Sequence, residues 1–169
     1  FPFFLPLYSP GWEMEIVGPP QGTREGELDV QTLFAGQMGP VYFPVPFEAV
    51  SSELAFSHLT EGSWEHGAFK VAAMRMRHPS YTVGYRIQAG ERCVCYIPDN
   101  ELVGAEYEVI PEWRERLARF VDGVDLLIHD AMFANDRQDR ARETAHSTAG
   151  EAAQVATEAG ARRLALTHI

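Results

Sequence analysis

The sequence predicts an α/β fold in which a strand-rich first part is followed by a β-α-β arrangement near the end of the chain. Apolar and polar residues alternate from Phe69 to Arg77, which is the period of a half-buried strand. A helical pattern over 148–159 lies between two short apolar runs, 124–128 and 163–167. Because fully apolar runs are typical of strands covered on both faces, these two runs predict strands of a buried sheet around a crossover helix.

The first forty residues are rich in proline, glycine and aromatic residues, and one short strand is predicted there, from Met14 to Val17. Gly18-Pro19-Pro20 ends this strand, because proline lacks an N–H and glycine favours turns. A short helix is predicted from Phe47 to Leu54. Pro46 lies at its first turn, where a missing N–H costs no hydrogen bond.

Two strands in the middle of the chain are predicted to pair as a hairpin. They run from Tyr81 to Gln88 and from Arg92 to Ile97, and the short turn Ala89-Gly90-Glu91 joins them. A helix is predicted from Pro111 to Val121, since proline suits a first turn and the apolar residues fall on one face. That face comprises Trp113, Leu117, Phe120 and Val121.

The helix over 148–159 carries both a start and a stop signal. Thr148 and Glu151 have the spacing of a capping box, and Gly160 suits the left-handed residue that often follows a helix. No internal repeat or linker is visible, so a single domain over residues 1–169 is predicted. The chain begins at Phe1 without a methionine and ends at Ile169, and we expect a fragment truncated at both ends.

Composition narrows the classes of function. The 169 residues are 46% hydrophobic and carry a formal net charge of −10. A chain of this length can bury one core, and its acidic charge argues against broad nucleic-acid binding, which needs clustered lysine and arginine. There is no apolar run of about 18 residues and no signal peptide pattern, so we expect a cytoplasmic protein that does not enter a membrane.

Cys93 and Cys95 are predicted to be reduced core thiols.

Three polar residues follow apolar strands and precede a break in the pattern: His78, Asp99 and His168. Two imidazoles and a carboxylate form a partial ligand set for zinc or a similar divalent ion, and a carboxylate can bridge two ions. Spacing alone also allows each histidine to be an ordinary core or surface residue.

His146 lies just before the predicted helix start at Thr148. The helix dipole favours a neutral imidazole there, which could act as a base near pH 7, and Asp130 is the candidate partner that fixes its tautomer. The alternative is a loop histidine without a role. The nearby arginines either steer an anionic substrate or balance neighbouring acids on a helix face. They are Arg137, Arg140 and Arg142.

Five segments in this order resemble the ribonuclease Z-like and phosphodiesterase branch of the metallo-β-lactamase superfamily. Ile16-Val17-Gly18-Pro19 also fits a strand of that family, so the resemblance spans about residues 14–169. The five segments are Arg77-His78-Pro79 with Val83-Gly84-Tyr85-Arg86-Ile87, Cys93-Val94-Cys95-Tyr96-Ile97-Pro98-Asp99, Leu127-Ile128-His129-Asp130-Ala131, Ala145-His146-Ser147-Thr148 with Glu151-Ala152-Ala153, and Leu164-Ala165-Leu166-Thr167-His168-Ile169.

The resemblance implies the αββα sandwich of that superfamily, present here mostly as its second half. It implies that His78 and His168 each ligate one of two divalent metal ions and that Asp99 bridges them. It implies that His146 acts on the scissile phosphate or leaving group and that Asp130 orients it. The ions would be zinc, with manganese or iron as alternatives.

The chain departs from the family pattern in several places. The motif His-x-His-x-Asp-His, which supplies further ligands, is absent from the 169 residues and we expect it before Phe1. Asp130 stands in place of a glutamate, and Pro98 and Asn100 flank Asp99 in place of glycine and threonine. The short turn after the Arg86 strand replaces a long tRNA-gripping arm, which argues against a dedicated tRNA enzyme.

The resemblance therefore implies a metal-dependent hydrolase that cleaves phosphodiester bonds with a metal-bound hydroxide. The substrate expected is a small-molecule or nucleotide phosphodiester, and a homodimer is expected. The alternatives are a ribonuclease Z that processes tRNA 3′ ends, a lactonase or other ester hydrolase, and a non-catalytic sensory or interaction module.

Overall fold

The computed structural model describes residues 1–23, 26–59, 61–103 and 112–169. The chain falls into two compact units, Phe1–Leu59 and Thr60–Ile169. The expectation of one domain over 1–169 stays a prediction. In the part of the chain that is described, no helix has the length and apolar character needed to cross a bilayer.

In the first unit, the described residues form a parallel strand pair, a small antiparallel pair and one α-helix. Strand β1 pairs in parallel with β4, and Asp29 caps α1 by accepting the N–H of Thr32 at 2.7 Å. The elements are β1 (Glu13–Gly18), β2 (Gln21–Thr23), β3 (Gly26–Leu28), α1 (Val30–Gln37) and β4 (Glu53–His58).

The prediction for β1 is confirmed, whereas the helix predicted from Phe47 to Leu54 is wrong beyond its first turn. A 3-10 helix covers only Phe47–Ala49, and β4 begins at Glu53. Pairing with β1 supplies backbone hydrogen bonds that local helical propensity cannot match, so the tertiary partner decides the conformation.

The second unit is built on a six-stranded sheet with the strand order β10-β9-β8-β7-β6-β5. Strands β5 to β8 pair antiparallel, which confirms the predicted β7–β8 hairpin, and β8, β9 and β10 pair in parallel. The strands are β5 (Gly62–His66), β6 (Phe69–Arg75), β7 (Val83–Ala89), β8 (Arg92–Ile97), β9 (Leu126–Asp130) and β10 (Leu164–Thr167).

Strand direction decides where the loops meet. Strands β6, β8, β9 and β10 run in one direction, while β5 and β7 run in the other. The carboxyl ends of four strands therefore lie at the same edge of the sheet, which we call the carboxyl edge; it is defined by Arg75, Ile97, Asp130 and Thr167. The other edge, where β5 and β7 end, is called the opposite edge.

The described residues of this unit form three α-helices: α2 (Trp113–Val121), α3 (Gln138–Thr144) and α4 (Ala149–Glu158). The predicted apolar face of α2 is confirmed for Trp113, Leu117 and Val121, which are buried, while Pro111 lies outside the described residues. The predicted capping box of α4 is formed, and Gly160 has the expected positive φ of 62°.

Helices α2 and α4 pack on one face of the sheet. Their apolar residues share a buried cluster with alternate residues of β8 and β9, including Cys95, Ile97 and Leu127, which are fully buried. Burying each side chain of this size contributes about 1.5–3 kcal/mol. Both cysteines are free and buried, as predicted, and burial raises the pKa of Cys95 to about 12.

Gly84 in β7 is needed because neighbouring side chains fill the space above it. A Cβ there would lie 2.9 Å from Met76 Cε, 3.1 Å from Ile97 Cδ1 and 3.1 Å from the backbone oxygen of Tyr96. Met76 and Ile97 each precede a candidate ligand by two residues. This contact therefore links the core to the carboxyl edge.

Candidate metal centre

Asp99 follows β8 at the carboxyl edge, and each of its carboxylate oxygens faces a different imidazole. Its Oδ2 lies 3.8 Å from Nε2 of His78, which follows β6, and its Oδ1 lies 3.2 Å from Nδ1 of His168, which follows β10. The three residues that were predicted to converge therefore lie together. They come from three strands that share one direction.

His146 and Asp130 form a second pair at the same edge. His146 Nδ1 lies 3.0 Å from Asp130 Oδ2, so the shorter aspartate reaches the imidazole. The same oxygen accepts the backbone N–H of Ser147 at 3.1 Å and that of Asn100 at 3.2 Å. Asp130 is fully buried, and these bonds hold its carboxylate in one orientation.

The two pairs are close enough to act as one site. The His146 ring centroid lies 5.4 Å from that of His78 and 4.8 Å from that of His168. Two overlapping groups of possible ligands result, His78-Asp99-His146 and Asp130-His146-His168, and within each group the ligand atoms lie within 4.8 Å of one another. His146 belongs to both groups, so it can serve either as a ligand or as an acid and base.

The donor set fits a divalent cation. Ligands bonded to one tetrahedral ion at about 2.0–2.2 Å lie about 3.3–3.6 Å apart, and the two imidazole–Asp99 distances of 3.2 and 3.8 Å are close to that range. Imidazole nitrogen and carboxylate oxygen are ligands that zinc, manganese and iron accept. These residues could hold two ions with Asp99 between them.

Burial lowers the pKa of His78 below its ordinary value of 6.5, and the carboxylate of Asp99 opposes only part of this shift. The neutral imidazole therefore prevails near pH 7, which is the form that binds a metal ion. Nδ1 of His78 shares a hydrogen bond with Ser80 Oγ at 2.8 Å, which leaves Nε2 facing Asp99.

Two residues of the site have left-handed backbone conformations. His168 has a φ of 63°, and Ala145, which ends α3 directly before His146, also has a φ of 63°. This conformation costs about 1–2 kcal/mol for a residue with a Cβ. At Ala145 it reverses the chain after α3, so that His146 enters the carboxyl edge.

Arg137 lies on a 3-10 turn, and Arg140 and Arg142 lie on α3. Arg140 pairs with Glu143 at 2.6 Å and Arg142 with Asp139 at 3.7 Å. These two pairs support the alternative in which the arginines balance acids on a helix face.

Three residues around the site were not singled out as functional from the sequence: Asn100, Ser147 and His129. Asn100 and Ser147 bind Asp130 through their backbone N–H groups. His129 is buried, and its Nδ1 is 2.7 Å from the backbone oxygen of Asp130. In the sequence, these residues are marked only by their position next to a candidate site residue. Contacts made by backbone atoms do not require a particular residue type, so they produce no recognisable sequence pattern.

Comparisons with known proteins agree with this geometry. The family model of the beta-lactamase superfamily domain matches residues 39–169. A ribonuclease Z of Exiguobacterium sibiricum is 33% identical in an alignment of 157 positions that covers 84% of this chain and 52% of that protein. A ribonuclease Z of Halobacterium salinarum is 73% identical over 48 residues, which is 28% of this chain and 16% of that protein.

Solved structures show the same fold. The short form of human tRNase Z aligns with a TM-score of 0.66 at 22% identity, over 92% of this chain and 60% of that one. The metallo-beta-lactamase fold protein YhfI from Bacillus subtilis aligns with a TM-score of 0.56 at 25% identity, over 70% of this chain and 44% of that one. The chain thus spans about half the length of several relatives, and it belongs to the metallo-β-lactamase superfamily, in its ribonuclease Z-like branch.

Proposed function

We propose that this chain supplies part of a dinuclear metal centre in a hydrolase that cleaves phosphodiester bonds. The observation that carries the proposal is the position of Asp99, whose two oxygens face His78 Nε2 and His168 Nδ1 separately. A carboxylate held between two imidazoles in this way is suited to bridge two ions. His78 and His168 would each hold one of them.

When bound, the two divalent ions would lower the pKa of water so that hydroxide is available at neutral pH, and they would stabilise negative charge on the phosphate oxygens. Zinc is the ion we expect, with manganese and iron as alternatives. Further ligands are required for full coordination, since structural and catalytic zinc sites use three or four protein ligands for each ion.

His146 is proposed to hold and move the proton of the reaction. Its Nδ1 bonds to Asp130, so Nε2 is the atom that is available to the scissile phosphate or to the leaving-group oxygen. Asp130 fixes the ring and favours the tautomer with the proton on Nδ1. Because the side chain of His146 is 9% exposed, its geometry is set by the protein more than by water.

A second candidate function is the processing of tRNA 3′ ends. Proteins named ribonuclease Z match this chain, one of them at 73% identity over 48 residues. The short β7–β8 turn and the net charge of −10 oppose a large RNA surface on this chain. A nucleotide or small-molecule phosphodiester is therefore our first choice. A cytoplasmic location and a homodimer stay predictions.

The first test is the metal content and substrate range of the full-length protein. We expect about two ions per chain after reconstitution, turnover of bis(4-nitrophenyl) phosphate, and weaker cleavage of precursor tRNA. Efficient tRNA cleavage would favour the second candidate. Turnover of lactones alone would replace the phosphodiesterase by an ester hydrolase, and fewer than one ion per chain would favour a non-catalytic module.

The second test separates the roles of the histidines. His168→Ala is expected to remove one ion, whereas His146→Ala is expected to keep both ions and lose rate by about 100-fold or more, in the range of general acid–base catalysis. Exposed His66, at the opposite edge, provides the control variant His66→Ala. Loss of an ion in His146→Ala would make His146 a ligand and contradict the proposed role.

A further inference from the structure

Asn100 is fully buried beside the candidate metal centre and bonds to three other segments of the carboxyl edge. Its side-chain Oδ1 accepts the backbone N–H of Arg77 at 3.1 Å. Its own N–H donates to Asp130 Oδ2 at 3.2 Å, and its carbonyl oxygen accepts the hydroxyl of Ser147 at 2.5 Å. One residue thus joins the segments that follow β6 and β8, the last residue of β9, and the segment that precedes α4.

Each partner of Asn100 lies next to a candidate ligand or is one. Arg77 precedes His78, Ser147 follows His146, and Asp130 bonds to His146. Asn100 itself follows Asp99. A displacement of Asn100 would therefore change the separations among His78, Asp99, Asp130 and His146.

The contact between Asn100 and Arg77 is reinforced by a second hydrogen bond. The N–H of Glu101 donates to the carbonyl oxygen of Arg77 at 2.8 Å. The N–H and the carbonyl oxygen of Arg77 are thus bonded to two successive residues, Asn100 and Glu101. These two bonds fix both the distance between the His78 and Asp99 segments and their alignment. The side chain of Asn100 provides one of these two bonds, so it is the part of the arrangement that a substitution can remove.

Selection for folding stability alone would not favour an amide side chain at position 100. Within the described part of the chain, its Nδ2 is buried and has no hydrogen-bond partner. A buried donor without a partner costs free energy, whereas an apolar side chain of similar size would avoid that cost. The feature that an apolar side chain cannot reproduce is the Oδ1 acceptor for Arg77.

We propose that Asn100 is a positioning residue that sets the distance between His78 and Asp99 through its Oδ1 bond to Arg77. In this proposal Asn100 acts through Arg77 and is not itself a ligand. The inference rests on the proposed metal centre, because its measurable consequence is the affinity of that centre for a divalent cation. Outer-shell partners that fix the orientation of ligands commonly change metal affinity by about 10–100-fold.

Threonine and valine at position 100 provide a matched pair, since they have the same shape and only threonine retains an oxygen that can accept the Arg77 N–H. Co²⁺ binding to the full-length protein is followed by visible absorption, which needs no turnover. We expect Asn100→Val to bind Co²⁺ about 10-fold more weakly than wild type or worse, and Asn100→Thr to recover most of that loss. Leu117→Ala, in the core on α2, controls for lost stability and is expected to keep the wild-type affinity.

Amide hydrogen exchange of Arg77 in the metal-free protein provides a second measurement. Exchange should be faster in Asn100→Val than in Asn100→Thr, because only threonine can hold the N–H. If Asn100→Val does not fold, Ser147→Ala takes its place, since it removes the hydroxyl bond to the Asn100 carbonyl and is expected to weaken Co²⁺ binding.

Three results would overturn the inference. Equal Co²⁺ affinity of the valine and threonine variants, or a loss in Leu117→Ala as large as that in Asn100→Val, would show that Asn100 contributes stability alone. In both cases the proposed metal centre would stand. A wild-type protein that binds no Co²⁺ would instead remove the metal centre and this inference together.

Discussion

The two edges of the six-stranded sheet each hold a hydrogen-bonded aspartate, but they balance its charge in different ways. At the opposite edge, Asp125 accepts the N–H of Cys93 at 2.9 Å and forms ion pairs with Arg92 and Arg162, both at 3.1 Å. The Cys93 N–H and, to a smaller extent, the arginines lower the pKa of Asp125. The negative charge of Asp125 is therefore balanced by its arginine partners, as a structural contact requires.

At the carboxyl edge, Asp99 and Asp130 lie among imidazoles. The ion pairs recorded for them in the described residues involve only His78, His146 and His168. Because burial favours the neutral form of His78, Asp99 lacks on that side the full positive charge that two arginines supply to Asp125. Two carboxylates that pair only with imidazoles in the described residues form a donor set that a divalent cation would complete.

The largest effect that tests this comparison is expected for Asp130→Ala. The change removes the acceptor of the buried N–H groups of Asn100 and Ser147, and we expect the free energy of unfolding to fall by about 2–5 kcal/mol. Asp125→Ala is the matched control, and we expect a smaller loss because its arginine partners are solvent-exposed. Urea unfolding measures both, and equal losses would contradict the contrast between the edges.

Metal affinity is the next test. Asp99→Ala removes the carboxylate between the two imidazoles, and we expect the affinity for Zn²⁺ to fall by about 100-fold or more, since even outer-shell changes cost about 10–100-fold. Isothermal titration of Zn²⁺ measures this affinity, with Asp125→Ala as the control. An Asp99→Ala protein that binds zinc as well as wild type would refute the proposed centre.

Gly84→Ala tests whether the core and the carboxyl edge are linked. The added Cβ would press on Met76, on Ile97 and on the backbone of β8, and overpacking of this kind costs about 1–3 kcal/mol. We expect a lower thermal midpoint together with weaker zinc binding. Gln88→Ala, at an exposed position of the same strand, should change neither, and unchanged zinc binding in Gly84→Ala would separate the core from the site.

The smallest effect concerns pH. Burial lowers the pKa of His129 below 6.5, so the unfolded chain binds more protons than the folded one between the folded pKa and about 6.5. This residue should therefore reduce stability as the pH falls through that window, by at most about 1.4 kcal/mol per pH unit, and should have no effect above it. Nearby Asp130 and Glu151 oppose the shift.

Urea midpoints at pH 5.5 and 7.5 measure this dependence. His129→Leu cannot titrate, so its midpoint should change less between the two pH values than that of wild type. His66→Leu alters an exposed histidine at the opposite edge and should leave the wild-type dependence intact. The same dependence in wild type and in His129→Leu would assign the effect to other groups.

The sequence predicts much of the fold of the second unit because its signals are local. The alternation over β6, the hairpin of β7 and β8 and the capping box at Thr148 each depend on neighbours in the chain. Strand β5 and helix α3 escaped prediction, since Gly62–His66 and Gln138–Thr144 are mostly polar and resemble loops. Strand direction cannot be read from such patterns, although it decides which strand ends meet.

The candidate site was predictable in part for a related reason. The position of polar residues after apolar strands identified His78, Asp99 and His168 as candidates, but spacing alone also allowed each histidine to be an ordinary core or surface residue. The motif order of a known family selected His78 and His168, which both lie near Asp99. Asn100 and Ser147 contact Asp130 through backbone N–H groups, and the Ser147 hydroxyl bonds to the Asn100 carbonyl oxygen. Such contacts do not produce a pattern of residue types that could be read from the sequence.

The topology of the sheet also has a consequence for the order of folding. Short connections join β5 to β8, over residues 67–68, 76–82 and 90–91, whereas β9 and β10 pair only after the long crossovers 98–125 and 131–163. Closing long loops has a higher entropic cost, so we expect the meander to form first and the parallel pairings last. Asp130, His146 and His168 all depend on the late pairings. A cation that uses these residues can therefore bind only a nearly native chain, and it would stabilise the folded structure rather than start its folding.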